Sequence, residues 1–100
     1  MASDSVPAAI PEELLMARDN IDRIDRELIS LLGERFALTH EVGLLKADKN
    51  LNALDSSRES EKLAELRALS ERHGLDPELI SELFGRIMEE VVKNHKLLRE

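Results

Sequence analysis

From Glu12 onward the chain is written in sevens. Leu14, Ile21, Leu28 and Val42 share one heptad position, and Ala17, Ile24, Leu31, Leu38 and Leu45 form a second series between them. Apolar residues at these spacings draw a single stripe along a helix, sustained for more than four heptads without a proline. Gly33 and Gly43 fall inside the stretch. Each costs about 1 kcal/mol against alanine, too little to end a helix so strongly patterned. A second pattern follows a polar loop. Ser56 and Glu59 have the spacing of a capping box with Asp55 just before them, Leu63, Leu66 and Leu69 mark an apolar face, and Gly74 is a natural stop. A third begins at Asp76, a good N-cap, with Pro77 in the first helical position, where its missing N–H costs nothing. Leu79, Ile80, Leu83, Phe84, Ile87, Met88, Val91 and Val92 then recur at helical spacing, and no segment alternates with period two. The fold predicted is all-α, with one long and two shorter helices in a domain over residues 12–100. Residues 1–11 contain two prolines and no periodicity, and are expected to form a disordered tail.

The long helix carries a quantitative implication. Roughly 34 residues at ~1.5 Å each make a rod of about 50 Å. A compact chain of 100 residues has a radius of gyration near ~13 Å, hence a diameter of about 33 Å. Such a rod would project from its own domain with its stripe uncovered, and the simplest cover is a second copy in two-fold symmetry. A homodimer is expected on this ground alone.

Composition narrows the function by exclusion. Fourteen Lys and Arg stand against 21 Asp and Glu, a formal charge of −7, with no Cys, Trp or Tyr and two Phe. Without cysteine there is no disulfide, thiolate nucleophile or Cys-ligated zinc, and a reducing, cytoplasmic setting is expected. The acidic balance argues against nucleic acid, and two aromatics leave little for stacking bases. No apolar run approaches the ~20 residues of a membrane span, and residues 1–11 lack the basic start and apolar stretch of a signal peptide.

The informative residues are the charges that interrupt the stripe. Arg35 occupies the heptad seat set by Leu14, Ile21, Leu28 and Val42. A guanidinium there is costly unless something anionic meets it, either a carboxylate such as Asp25 or Glu59 or a bound anion. Lys46 follows eleven residues later, close to three helical turns, so the two side chains project from nearly the same face about 16 Å apart. Lys46 also suits a helix C-terminus by complementing the macrodipole. Arg18 lies about 25 Å from Arg35 and is rotated roughly 100° from it, so one chain's pair cannot share a small ligand, whereas an antiparallel partner's Arg18 can reach. Taken alone, Arg18 reads as a solvated helix charge. Arg58 in a first helical turn opposes the macrodipole and weakly favours an anion nearby. Glu59 has a sufficient reading as capping-box partner. His95 continues the line Phe84, Met88, Val91; a lone His on an apolar face is usually a hydrogen-bonded interior residue. His40, His73 and His95 lack a His or Glu spaced for a metal pair, and there is no Gly-rich phosphate loop or Ser-centred elbow.

Together these features resemble a family. The stretch LLMARDNIDRIDRELISLLGERFALTHEVGLLK, then DSSRE, then GLDPELISELFGRIMEEVVKNH, is similar to the all-helical class of chorismate mutases over residues 14 to about 97. The order R…IDxID…R…VGxxK…D..RE is more specific than any of its pieces. The resemblance implies intertwined homodimers of three-helix chains that rearrange chorismate, a small dicarboxylate, to prephenate for phenylalanine and tyrosine biosynthesis, with no cofactor, metal or covalent intermediate. It implies that Arg18 from the other subunit, Arg35, Arg58 and Lys46 hold the two carboxylates. Lys46 would also donate to the ether oxygen, and Asp55 and Glu59 would engage the ring hydroxyl and its surroundings.

Two positions depart from the usual bacterial pattern. Val91 stands where a Ser often meets a carboxylate, leaving one contact unaccounted for. His95 stands where a Gln usually gives the second hydrogen bond to the ether oxygen, and an imidazole N–H can donate in its place. Isochorismate-pyruvate lyase and 4-amino-4-deoxychorismate mutase share the fold and the cations, and a non-catalytic helical dimerisation module is the reading from another class. Some short family members also gain activity from a partner enzyme of the shikimate pathway.

Overall fold

A computed structural model describes residues 9–99. Of the tail expected over residues 1–11, residues 1–8 lie outside the described residues. Three helices account for most of the rest: α1 (Glu12–Asp48), α2 (Ser56–Arg72) and α3 (Pro77–Leu97). There is no strand among the described residues, as the pattern required, and no helix among them is long and apolar enough to cross a membrane. The chain divides after Arg35 into two compact units.

The first unit consists, in its described part, of Ala9 to Arg35, nearly all of it α1. The helix opens with the Pro11 carbonyl accepting the N–H groups of Leu14 and Leu15 at 3.0 and 3.2 Å. Glu12 and Glu13 fill the first turn, where negative charge complements the helix dipole. The heptad residues Leu14, Ile21, Ile24, Leu28 and Leu31 are all exposed, Leu28 by 53%. Arg23 pairs with Glu27 one turn on at 2.9 Å, on the solvated side, where such pairs contribute little.

The second unit, Phe36 to Glu100, begins with the last turns of α1. These end in a tight reversal. Leu51 N–H donates to the Lys46 carbonyl at 2.7 Å and Asn50 N–H to the Ala47 carbonyl at 3.3 Å. Asn50 takes the left-handed conformation at φ 56°. This is the Schellman arrangement, with asparagine in the seat glycine usually holds. The α2 terminus repeats it: Leu75 donates to Ser70 and Gly74 to Glu71, with Gly74 at φ 69°.

The start of α2 corrects the capping-box expectation. The N-cap is Asp55, one residue before Ser56, with extended backbone and a carboxylate that accepts the Arg58 N–H at 3.0 Å. That puts Arg58, not Glu59, in the position a reciprocating glutamate would need, so Glu59 is not a capping partner. The start of α3 is as expected: Asp76 caps the Glu78 N–H at 2.9 Å and Pro77 sits in the first turn. α2 and α3 pack against each other. Arg67 ties them together, donating to Ser81 at 2.8 Å and Glu78 at 2.7 Å. Met88, Ser70 and His95 are buried, at 7%, 3% and 3% exposure, together with Gly43.

Candidate functional site

The second unit gathers most of the residues singled out from sequence. Lys46 sits in the Schellman turn that ends α1, its backbone held by the Leu51 bond. Its side chain is half-buried, and Nζ donates to the Ala53 carbonyl at 3.3 Å. That is a long bond, and it leaves the other ammonium protons available. Lys46 and Asp55 line one cavity of about 350 Å³ with Leu51, Asn52, Leu54 and Ser56. The Asp55 carboxylate is at once the α2 cap and part of that wall, one oxygen being committed to Arg58 N–H. The cap thus fixes a carboxylate beside a lysine.

Glu59, half-buried, lines a second cavity of about 490 Å³ with Leu54, Glu89, Val92, Lys93, Lys96 and Leu97. Leu54 belongs to both linings, so the two hollows are neighbours on either side of one leucine. Leu54, Lys93 and Lys96 did not stand out in the sequence. The two lysines sit on the solvent-facing side of an amphipathic pattern, which carries no signal by itself. Arg58 is exposed and Val91 half-buried; neither lines these hollows.

His95 is placed differently from a cavity residue. Its ring is buried, and Nε2 lies 2.7 Å from the Thr39 carbonyl oxygen of α1. A carbonyl only accepts, so Nε2 carries the proton. Nδ1 is buried with no hydrogen-bond partner. The ring rests on Gly43: a Cβ there would meet His95 Cδ2 at 2.5 Å and Leu98 Cδ1 at 2.8 Å. Gly43 is therefore a close-approach glycine, a role its helical position concealed. The sole sequence signal for it was its place in VGxxK, three residues before the lysine.

Arg18 and Arg35 belong to the first unit. Arg18 is exposed and Arg35 half-buried. Seventeen residues of helix separate them, about 25 Å, so within one chain they do not share a small ligand.

Comparison with known proteins identifies the family. A family model described as chorismate mutase type II matches residues 17–96, which includes all eight candidate site residues. The bifunctional chorismate mutase/prephenate dehydratase of Buchnera aphidicola is 36% identical over 85 residues, 85% of this chain and 22% of that protein. The corresponding protein of Escherichia coli gives the same identity and coverage. The T-protein of Enterobacter agglomerans is 38% identical over 78 residues, 78% of this chain and 21% of that protein. The chain thus spans about a fifth of the length of these relatives. A match over four-fifths of the chain, on a three-helix fold with its cations at the resembling positions, is sufficient: the chain belongs to the type II chorismate mutase family.

Proposed function

We propose that this chain is an isomerase that converts chorismate to prephenate, working as an intertwined homodimer. The observation that carries the reading is the family match over residues 17–96, within which Arg18, Arg35, Lys46 and Arg58 keep the residue types the reaction requires. The reaction is a unimolecular rearrangement. One C–O bond breaks while one C–C bond forms across the same six-atom array, and no proton or electron leaves the substrate. Catalysis is then a matter of holding the dianion in its compact conformer and stabilising charge where it develops.

In this reading Arg35, Arg58 and the partner copy's Arg18 hold the two carboxylates. Lys46 turns from the Ala53 carbonyl to the ether oxygen, where negative charge grows as the C–O bond breaks. Exclusion of water strengthens that contact. Asp55 and Glu59 orient the ring hydroxyl side. The uncovered heptad stripe of the first unit, Leu14 through Leu31, supports the dimer, because an apolar row of that length is stable only against a partner.

The test is direct. Purified protein is mixed with chorismate, loss of its ultraviolet absorbance is followed and the product identified, with isochorismate and 4-amino-4-deoxychorismate in parallel. Prephenate from chorismate is the expected result. Pyruvate release from isochorismate, or turnover of the amino substrate alone, replaces the substrate assignment. No turnover of any of the three by a purified dimer overturns the enzymatic reading in favour of a helical dimerisation module.

A further inference from the structure

Among the described residues, one buried polar group has an unmatched atom that the proposed chemistry does not use. It is the His95 ring on α3. Nε2–H is committed to the Thr39 carbonyl, and Nδ1 faces neither water nor a hydrogen-bond partner. A direct donor to substrate would need a proton on Nδ1, in a ring already donating through Nε2. That second N–H would point into a place with no acceptor, which costs more than leaving a lone pair unmatched. The surroundings therefore suit a ring that donates once, to the protein.

What that bond holds is the helix end bearing Lys46. Thr39 lies two turns before Lys46 on α1, and Gly43, the ring's seat, lies three residues before it, about 4.5 Å along the axis. The imidazole covers the turn between Thr39 and Gly43, bonded at one end and in van der Waals contact at the other. Leu98, just past α3, closes over the same glycine. Thr39 is itself tied locally, its hydroxyl donating to the Phe36 carbonyl at 3.1 Å. A one-residue slip or small rotation of α1 against α3 would break the bond and drive a side chain into the ring. The axial and rotational setting of this helix end is thus read at a single buried contact.

Resting on the mutase reading above, we propose that His95 is a positioning residue: by its Nε2–H bond to the Thr39 carbonyl and its seat on Gly43, it sets the placement of Lys46 without touching substrate. The geometry of a transition-state donor is sensitive to this, since misplacement by about 1 Å can cost on the order of 100-fold in rate.

Three measurements decide it. In the wild-type protein, ¹⁵N-resolved imidazole spectra should show His95 protonated at Nε2, with Nδ1 bare both free and saturated with a stable ether dicarboxylate. Gain of an Nδ1 proton on binding makes His95 a direct donor and overturns the proposal. In His95→Ala, amide exchange over residues 46–51 should speed up, and kcat should fall about 10- to 100-fold with KM changing much less. His95→Gln, whose amide N–H can reach the same carbonyl, should restore both. Unchanged exchange at the α1 end in His95→Ala, with kcat nevertheless lost, overturns it. So does a kcat per folded molecule that stays at the wild-type level. If the wild-type protein fails to turn over chorismate, the mutase reading fails. The imidazole spectrum of the free protein and the exchange of residues 46–51 still decide whether His95 sets the helix end. Should His95→Ala fold poorly, His95→Gln and the wild-type spectra carry the test.

Discussion

The two units of this chain solve the burial problem in opposite ways. In the second, α2 and α3 pack on one another and a handful of positions are buried: Met88, Ser70, His95 and Gly43. In the first, none of the described residues is buried. Its heptad residues, as regular as any in the chain, stay open from Leu14 to Leu31. The difference does not lie in helix quality. A hairpin of two helices provides a surface to bury against, whereas a single helix has only its own turns. On the proposed reading the second unit carries most of the site's side chains, and the first is the part that a partner covers. In the proposed dimer the cover is the partner's copy, which also delivers Arg18.

The sharpest way to break this comparison is to spoil the stripe. Leu28→Glu puts a charge into a seat that a two-fold interface buries twice. Desolvating an unpaired carboxylate costs several kcal/mol, roughly 3–5 for each copy. Sedimentation should show the dimer dissociating, and turnover should fall by at least about 100-fold with loss of the partner's Arg18. A variant that remains dimeric and active would place the interface elsewhere. Next in size is Lys46→Ala in the second unit. Loss of a donor to the developing charge should lower kcat by about 10²–10³ while sedimentation and melting stay close to wild type. A loss under about fivefold would remove Lys46 from the chemistry.

The two helical glycines of α1 turn the contrast into a matched pair. Gly33, in the first unit, has nothing within 4 Å of where a Cβ would stand, whereas Gly43 has His95 and Leu98 there. Gly33→Ala should therefore stabilise by up to about 1 kcal/mol from helix propensity alone. Gly43→Ala gains the same propensity but overpacks the ring seat at about 1–3 kcal/mol, leaving a net loss of about 0–2. Thermal melting should separate the pair by several degrees in opposite directions. Combined with His95→Ala, the alanine at position 43 should cost less, because the ring is gone and only the Leu98 side chain, whose Cδ1 would stand 2.8 Å away, is left to move.

The same pair shows what was legible in the sequence. Helix number, order and most boundaries follow from local chemistry that needs no partner: heptad spacing, Asp76 with Pro77, Gly74 as a stop. Asp55, Glu59, Arg58 and Lys46 could be named because motif order along a chain is preserved in one dimension. The motif VGxxK set Gly43 apart from Gly33 by position but not by reason, since the close approach is made by a ring arriving from α3. The cap at Asp55 instead of Ser56 was missed for a related reason. Two good acceptors stood in succession, and backbone direction, extended at Asp55, chose between them. Asn50 escaped notice because asparagine in the left-handed seat is the less common solution. Arg35 in an apolar seat was visible as an oddity, yet periodicity has no term for what meets it.

The smallest expected effect lies on the hairpin's surface, and it asks whether burial is what holds the second unit. Arg67 joins α2 to α3 through Glu78 at 2.7 Å, with side-chain exposures of 43% and 71%. The Arg67 guanidinium is held above its usual range, chiefly by the hydrogen bond to Glu78 and then by that carboxylate's charge. Raising the folded-state value of a cation stabilises the fold at every pH below its ordinary value. The benefit fades only as pH climbs through the still higher folded value. Guanidinium titration therefore adds no slope to stability across the working range of about pH 5 to 9. Solvent screens a pair this exposed, so its contribution is small and falls with salt. Glu78→Gln keeps an oxygen acceptor for Arg67 and removes the charge. Its melting shift should be smaller than that of Gly43→Ala and should vanish near 1 M salt, where screening acts within about 3 Å. If Glu78→Gln instead matched or exceeded Gly43→Ala at every salt concentration, the hairpin would be held from its surface. The contrast between a unit with a packed hairpin and one whose apolar row stays exposed would then have to be redrawn around that single bridge.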